Sequence, residues 1–236
     1  MVHRGVAGPG PLRSVRRRTV VVGALFVVVS VLVLHVADRS SAGVDRCDRF
    51  TADSATRAGE VTGSGERVVV IGDSWSAGLG LERSAGSWPS RLSGTVHVAG
   101  FSGSGFSEHA SDCESVSFAD RAPAALRGGA DLVVVEGGLN DFNQPDADIR
   151  SGFARLMRTL KGERVVVVGP ASAPSRAAAV AHVDALLASL ARTYDVPYVR
   201  TSGLHLPYLD DHLHLTPAGH QAFGDYVAGQ IAGLTT

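Results

Sequence analysis

The chain has 236 residues, of which 44% are hydrophobic and 19% charged, so it is long enough for one α/β domain with a full core and is not disordered throughout. Six of the 22 basic residues but only one of the 23 acidic residues lie before residue 43, which leaves the rest of the chain with a net charge of −6. A net negative charge on this part of the chain argues against nucleic-acid binding, because the phosphate backbone is itself negative.

The first predicted element is an apolar run, residues 19–36, which directly follows three arginines at positions 16–18. A basic flank before an apolar run of this length is typical of a membrane-inserting export signal. We therefore expect residues 1–18 to form a basic cytoplasmic N-terminus and residues 19–36 to form a transmembrane signal anchor, or a signal peptide if the segment is cleaved. The rest of the chain would then lie outside the cell membrane, or be secreted after cleavage.

Residues 37–65 are rich in Ser, Ala, Gly, Asp and Arg, and this composition predicts a linker with little structure of its own. The folded domain is predicted over residues 66–236. The two cysteines, Cys47 and Cys113, both follow the apolar run, and in an oxidising compartment they are candidates for a disulfide. Two unpaired buried thiols are the alternative.

Five short Val-rich runs follow, and each is apolar on both faces, as strands of a parallel sheet covered by helices must be. The predicted strands are Arg67–Ile71, Val96–Ala99, Leu132–Val135, Val165–Val168 and Val196–Val199.

Helical spacing of apolar residues predicts helices over Asp148–Leu160 and Ala177–Tyr194. A last helix is predicted to begin with Thr216 as N-cap and Pro217 in the first helical position. Strands that alternate with helices in this way predict a three-layer α/β/α sandwich with a five-stranded parallel sheet.

Polar clusters follow four of the predicted strands, where the carboxyl ends of a parallel sheet form a ligand-binding crevice. We therefore expect the clusters to converge in space. They are Gly72-Asp73-Ser74, Gly100-Phe101-Ser102-Gly103, Gly137-Gly138-Leu139-Asn140-Asp141 and Asp210-Asp211-His212-Leu213-His214.

These clusters contain the parts of an acyl-transfer site. A serine hydroxyl such as that of Ser74 needs an imidazole to take its proton, and the imidazole needs a carboxylate on its other nitrogen. Asp211 and His214 are three residues apart, so one tight turn can bring them together. The backbone N–H groups of Ser74 and Gly103 and the side-chain amide of Asn140 are the candidate donors of an oxyanion hole.

The four clusters resemble, in order, the conserved blocks of the SGNH hydrolases, also called GDSL esterases. Residues 72–74 match the first block, Gly103 the second, residues 138–141 the third and residues 211–214 the last. The resemblance covers about residues 66–232. It implies a flavodoxin-like fold, no metal or cofactor, and hydrolysis of esters or O-acyl groups through an acyl-enzyme.

The roles predicted for the residues beside these motifs are less specific. Trp75 stands where the family's four-letter name has Leu, a variable position, and we expect it to shape the mouth of the pocket. Asp73 and Asp141 are expected to brace loops by hydrogen bonds. Five further residues either line the pocket or pack in the core or at the rim, namely Trp88, Phe101, Phe106, Glu136 and Phe142.

A metal site is the main alternative for the C-terminal cluster, because histidines and carboxylates are common metal ligands. It leaves Ser74, Gly103 and Asn140 without a role. The candidate ligands are His205, Asp210, Asp211, His212 and His214.

The natural substrate stays open between a small acyl ester and an O-acylated glycan or lipid. The sequence has no evident lid or long apolar insertion, which favours short acyl chains. Two other functions would use the same residues: an O-acyltransferase with a sugar hydroxyl as acceptor, and a non-catalytic glycan-binding module. The complete set of Ser74, Asp211, His214 and Asn140 argues against the binding module, whereas transferase and hydrolase differ only in how well the pocket excludes water.

Overall fold

The computed structural model describes Met1, Gly5 and residues 43–234. The chain divides into residues 1–46 and a compact unit of residues 47–236, and the polar clusters all belong to the second unit. Except for Met1 and Gly5, the predicted cytoplasmic N-terminus and the predicted apolar anchor lie outside the described residues. Within the described residues, no helix is both long and apolar enough to cross a membrane.

Five parallel strands form one sheet in the order β2-β1-β3-β4-β5, as the predicted α/β fold requires. Their register places Val70 of β1 opposite Val98 of β2 and Val134 of β3. The bounds are Arg67–Gly72 for β1, Thr95–Gly100 for β2, Leu132–Glu136 for β3, Val165–Val168 for β4 and Tyr198–Val199 for β5. Four of them agree with the predicted strands to within one residue at each end.

The last strand is shorter than its prediction of Val196–Val199, because pairing with β4 begins only at Tyr198. Pro197 has no N–H to donate to the ladder, and it contributes only its carbonyl oxygen, which accepts from Val167 at 2.9 Å.

The helices follow the strands and cover both faces of the sheet. Helices α3, α4 and α5 pack on one face, where Phe118, Phe153 and Leu187 meet odd-numbered valines of the strands. Helix α6 packs on the other face through Phe223 and Val227. The bounds are 43–59 for α1, Ser74–Ala77 for α2, Phe118–Ala125 for α3, Asp146–Thr159 for α4, Ala177–Thr193 for α5 and Pro217–Gly233 for α6.

The start of α6 agrees with its sequence signal. The side chain of Thr216 accepts a hydrogen bond from the N–H of Gly219 at 3.1 Å, and Pro217 occupies the first helical position. The predicted helices over Asp148–Leu160 and Ala177–Tyr194 are also confirmed as α4 and α5, with ends that differ by one or two residues.

The linker prediction for residues 37–65 is wrong over most of its described part, because residues 43–59 form α1. Contacts with the rest of the domain hold this helix in place. The Arg57 side chain is fully buried and its Nε donates to the Ser87 hydroxyl at 3.1 Å, while the ring of Phe50 packs edge-on against Phe101. Small polar residues give the segment the composition of a linker, but these contacts stabilise it as a helix.

The candidate disulfide is present: Cys47 of α1 is bonded to Cys113 in the loop between β2 and α3. After α1 the chain forms an antiparallel bridge between Thr62 and Val96 of β2, with two backbone hydrogen bonds. Because β2 is an edge strand, this bridge covers part of an edge that would otherwise be open to pairing.

Candidate active site

The nucleophile segment leaves the carboxyl end of β1 and turns at once into the short helix α2. Asp73 caps α2, because its side chain accepts a hydrogen bond from the N–H of Trp75 at 2.9 Å. Gly72 is required here by close packing: a Cβ at this position would lie 2.1 Å from the Ser76 hydroxyl oxygen. Ser74 is the first residue of α2 and lies at the carboxyl end of the central strands. It is 6% exposed to solvent.

The segment that carries the predicted acid and base is a tight loop between β5 and α6. Tyr208 and Leu215 form an antiparallel bridge across its base, and the N–H of Leu209 donates to the His214 carbonyl at 2.7 Å. Within the loop, Asp211 Oδ1 accepts from the backbone N–H groups of Leu213 and His214, both at 2.9 Å. The loop thus fixes the carboxylate beside the imidazole ring.

The three side chains form one hydrogen-bonded chain. His214 Nδ1 lies 2.5 Å from Asp211 Oδ2, and His214 Nε2 lies 3.1 Å from Ser74 Oγ. Burial alone would raise the pKa of Asp211, but the hydrogen bonds from the His214 ring and from the two backbone N–H groups lower it to about 2. The carboxylate is therefore ionised at neutral pH and can orient the ring and stabilise its protonated form.

The three candidate oxyanion donors come from three different loops. Gly103 has φ +85°, a left-handed conformation that favours glycine, and the N–H groups of Gly103 and Ser74 donate no hydrogen bond within residues 43–234. The Asn140 amide nitrogen donates to the Ser104 carbonyl at 2.9 Å and lies 3.4 Å from Asp73 Oδ2. These two contacts orient the amide and engage both of its hydrogens, and the longer one is the weaker bond that a substrate oxygen would replace.

Buried carboxyl groups lie beneath the site. Burial, followed by the neighbouring Glu136 charge, raises the pKa of Asp73 well above its ordinary value. Burial also raises the pKa of Glu136 to about 7, although this carboxyl accepts hydrogen bonds from the Ser76 hydroxyl and the Trp88 indole. These groups are enclosed in protein, so they support the loops and do not face a substrate.

Asp141 has the bracing role that its sequence context predicts. Its two carboxyl oxygens accept from the backbone N–H groups of Phe106 at 3.0 Å and Ser107 at 2.8 Å. Burial raises the pKa of Asp141 to about 6, and the two N–H donors oppose that shift. The loop that contains Gly103 is in this way tied to the turn that contains Asn140.

Arg121 of α3 is a residue that the sequence did not single out. Its guanidinium donates to the carbonyl oxygens of Gly72 at 2.9 Å and of Ala99, and to the Ser104 hydroxyl at 2.9 Å. Burial lowers its pKa to about 10, so it remains a cation at neutral pH. It holds the ends of β1 and β2 together beneath the nucleophile. No local pattern marks such a residue, because its partners are distant in sequence.

The expectation that Trp75 shapes the mouth of the pocket is wrong. Its side chain is buried, its indole N–H donates to the Leu213 carbonyl at 3.1 Å, and its ring packs edge-on against Phe223. Trp75 thus connects α2 to the loop of the acid and base. Five residues were expected either to line the pocket or to pack in the core or at the rim. Of these, Trp88, Phe101, Phe106 and Glu136 are buried, and Phe142 is exposed at the rim.

The metal alternative gains no support from the geometry. Within residues 43–234, no group of three or more His, Cys, Asp or Glu side chains is arranged as a set of metal ligands. His212 has a left-handed backbone with φ +55°, and its carbonyl oxygen accepts from the N–H of Ser175. The ring of His214, in contrast, is engaged by Ser74 on one side and Asp211 on the other.

A cavity of about 320 Å³ lies at the C-terminal end of α2, and its lining includes neither a residue of the predicted triad nor a candidate oxyanion donor. It is lined by Gly78 and Leu79, whose N–H groups donate to the Ser74 carbonyl, by Ser102 beside the oxyanion loop, and by Asp53 of α1. Its size is at the lower end of the range for small-molecule sites, and carboxylates and hydroxyl groups contribute to its wall.

The sequence profile of the GDSL-like Lipase/Acylhydrolase family matches residues 70–222. No curated protein sequence matches the chain at a significant level.

Several solved structures share the fold. A carbohydrate acetylesterase family member from Sinorhizobium meliloti superposes with a TM-score of 0.60 at 20% identity, over 72% of this chain and 99% of that one. The native aryl esterase of M. smegmatis gives 0.57 at 21% identity, over 72% and 100%. A family two carbohydrate esterase from Clostridium thermocellum, solved with cellohexaose, gives 0.56 at 15% identity, over 74% and 66%. At these identities the similarity establishes the shared fold.

Proposed function

The chain belongs to the GDSL-like lipase/acylhydrolase family and is an ester-hydrolysing enzyme, and from that premise we propose that Ser74, His214 and Asp211 are its catalytic triad. The observation that carries the proposal is the unbroken chain of hydrogen bonds from Asp211 Oδ2 through the His214 ring to Ser74 Oγ. That arrangement is the one in which an imidazole can remove the proton of a serine hydroxyl.

In the proposed reaction, Ser74 Oγ attacks the ester carbonyl carbon while His214 Nε2 takes the hydroxyl proton. The carbonyl oxygen becomes an oxyanion, which the N–H groups of Ser74 and Gly103 and the amide of Asn140 would stabilise. The C–O bond to the alcohol then breaks, the imidazolium returns its proton to the departing alcohol, and an acyl-serine remains. Water, deprotonated by the same imidazole, hydrolyses the acyl-serine and releases the acid.

We propose that the substrates are short-chain carboxylic esters or O-acyl groups. The sequence has no long apolar insertion that would hold a long acyl chain, which supports a small acyl group. A cavity of about 320 Å³ at the C-terminal end of α2 has the Asp53 carboxylate and the Ser102 hydroxyl in its wall, but Ser74 and His214 do not line it. Of the proteins that share the fold, one is by its name a carbohydrate acetylesterase and another an aryl esterase, so the first name indicates acetyl esters and the second aryl esters. An O-acylated glycan suits the polar part of the wall, since carboxylates and hydroxyls bind sugar hydroxyl groups.

We further propose that the enzyme works outside the cytoplasm, held at the cell membrane by residues 19–36 or secreted after their cleavage. The basic residues at 16–18, followed by a largely apolar run of 18 residues, support an export signal. The bond between Cys47 and Cys113 is consistent with this location, because structural disulfides persist in oxidising compartments.

A panel of 4-nitrophenyl esters with acyl chains of two to twelve carbons tests the proposed function. The purified chain in mild detergent should hydrolyse acetate and butyrate best. Ser74→Ala should lower kcat by about 10⁴-fold or more without a change in the circular dichroism spectrum. Turnover in Ser74→Ala equal to that of the unsubstituted protein would end the serine mechanism. The same reaction run with an added sugar tests for acyl transfer. An acylated sugar among the products would show that the protein is an acyltransferase.

A further inference from the structure

The loop after β4, residues 169–176, lies between two parts of the catalytic site. On one side the Pro170 ring packs on Gly138, so closely that a Cβ on that glycine would lie 3.2 Å from the proline Cδ. On the other side the N–H of Ser175 donates to the His212 carbonyl at 3.0 Å. The loop therefore contacts both the turn that holds Asn140 and the loop that holds His214, and its end lies at their common rim.

Arg176 is the last residue of a short 3₁₀ turn at that end, Pro174–Arg176. Its guanidinium carbon stands 3.8 Å above the centre of the Phe142 ring. Phe142 follows Asn140 by two residues and is 37% exposed. The stack of cation on aromatic ring holds the guanidinium in a fixed orientation beside the proposed oxyanion donor.

Apart from its stack on Phe142, the guanidinium of Arg176 has no hydrogen-bond or ion-pair partner in the described part of the chain. Its Nε is buried without a hydrogen bond, and no carboxylate among residues 43–234 forms an ion pair with it. Two arginines of the domain form ion pairs of the kind that Arg176 lacks: Arg91 with Asp225, and Arg200 with Asp184. An oriented guanidinium without an ion pair, at the rim of the proposed catalytic site, is suited to bind an anion.

We infer that Arg176, stacked on Phe142, binds an anionic group of the ester substrate, a carboxylate or a phosphate. The inference rests on the proposed function and adds a substrate class to it: acyl esters with a negative charge near the scissile bond. A guanidinium fork matches the two oxygens of a carboxylate or phosphate, which gives both attraction and orientation.

Pairs of matched esters test this inference. The anionic esters are 4-acetoxybenzoate and 4-acetoxyphenyl phosphate, with the charge on the alcohol side, and 4-nitrophenyl hydrogen glutarate, with the charge on the acyl side. Methyl 4-acetoxybenzoate is the neutral partner of both esters with the charge on the alcohol side, and 4-nitrophenyl pentanoate is the partner of the glutarate. Ser74→Ala gives the uncatalysed background. The quantity compared is the ratio of kcat/KM for the anionic ester to that for its neutral partner.

At least one anionic ester should be preferred, and Arg176→Gln should lower that ratio by about 10- to 100-fold. Arg176→Lys should lower it less, because it keeps the charge and loses the fork. Arg158→Gln is the matched control, since Arg158 is an exposed arginine in the last turn of α4, and it should leave the ratio unchanged. In the unsubstituted protein, added salt should also lower the ratio.

The inference is overturned if no anionic ester is preferred, if the ratio is the same in Arg176→Gln as in the unsubstituted protein, or if Arg158→Gln lowers it equally. In each of these cases the proposed function still stands if the protein hydrolyses the neutral esters at its normal rate. If the unsubstituted protein hydrolyses no ester of either kind, the proposed function fails and this inference fails with it.

Discussion

Asp211 receives three hydrogen bonds although its side chain is 47% exposed, and this explains how a short loop can hold the carboxylate in place beside the His214 ring. Two of the donors are backbone N–H groups within three residues, so the carboxylate shapes the loop as well as the ring. The sequence predicted this pairing, because the spacing of Asp211 and His214 requires only one turn. It did not predict Trp75 or Arg121 as supports, because their partners belong to segments far away in the chain.

The two histidines of the loop should differ sharply when substituted. His214→Ala should lower kcat/KM by about 10⁴-fold, because no base then accepts the Ser74 proton. His212→Asn is the matched control, since asparagine tolerates the left-handed backbone at that position, and it should cost no more than a few-fold. Initial rates on 4-nitrophenyl acetate measure both. Equal losses for the two variants would contradict the triad and favour a metal site.

Asn140 should contribute through the transition state and not through substrate binding. Asn140→Ala should lower kcat by about 100-fold with a small change in KM, as expected for the loss of one oxyanion donor. Asn143→Ala, three residues further on and exposed, is the control and should behave like the unsubstituted protein. A loss confined to KM would show that the amide contacts the substrate only in its ground state.

Among the elements, α1 shows where both composition and the pattern of apolar residues fail to predict a helix. Cys47, Phe50, Ser54 and Arg57 are the more buried residues of the segment, and they recur at intervals of three and four. That is the period of a helix with one face against a domain, but only one of the four is a large apolar residue. A hydrophobicity pattern therefore missed the helix, whereas the Val-rich strands and the capped helix α6 were evident.

The disulfide should be the main covalent restraint on α1. It closes a loop of 66 residues, which in the chain-entropy model stabilises the fold by about 4 kcal/mol. The double variant Cys47→Ser/Cys113→Ser should therefore unfold at a lower urea concentration, with a free energy of unfolding smaller by roughly that amount. Reductant should destabilise the unsubstituted protein and leave the double variant unaffected. Equal stability of the two proteins under oxidising conditions would show that α1 is held by its noncovalent contacts alone.

For the whole molecule, the buried carboxyls make stability depend on pH in an unusual direction. A carboxyl with a raised pKa holds its proton in the folded state at a pH where the unfolded chain has lost it. Stability is then greatest below the ordinary carboxyl pKa and declines as the pH rises through the folded value. Burial gives Glu136 such a window between about 4.5 and about 7, and Asp73 and Asp141 shift in the same direction.

Burial lowers the pKa of His220 to about 4, so its contribution to stability rises up to about pH 6.5 and opposes that of the carboxyls. The contribution of Glu136 is therefore isolated by comparison with Glu136→Gln, whose Tm relative to that of the unsubstituted protein should rise by about 5 °C between pH 5 and pH 8. Differential scanning fluorimetry across this pH range measures the effect. Glu66→Gln, at an exposed position, is the control and should keep the original slope. A Glu136→Gln slope that matches the unsubstituted protein would mean that Glu136 does not change its protonation on folding in this range.

Covalent trapping with a fluorophosphonate decides whether Ser74 is the nucleophile. The serine oxygen displaces fluoride from phosphorus, so mass spectrometry of the digested protein locates the attacking residue. We predict one phosphonyl adduct, on the peptide that contains Ser74, with loss of ester hydrolysis in proportion to labelling and no adduct in Ser74→Ala. An adduct on another residue, or full hydrolysis by protein labelled at Ser74, would contradict the proposed triad.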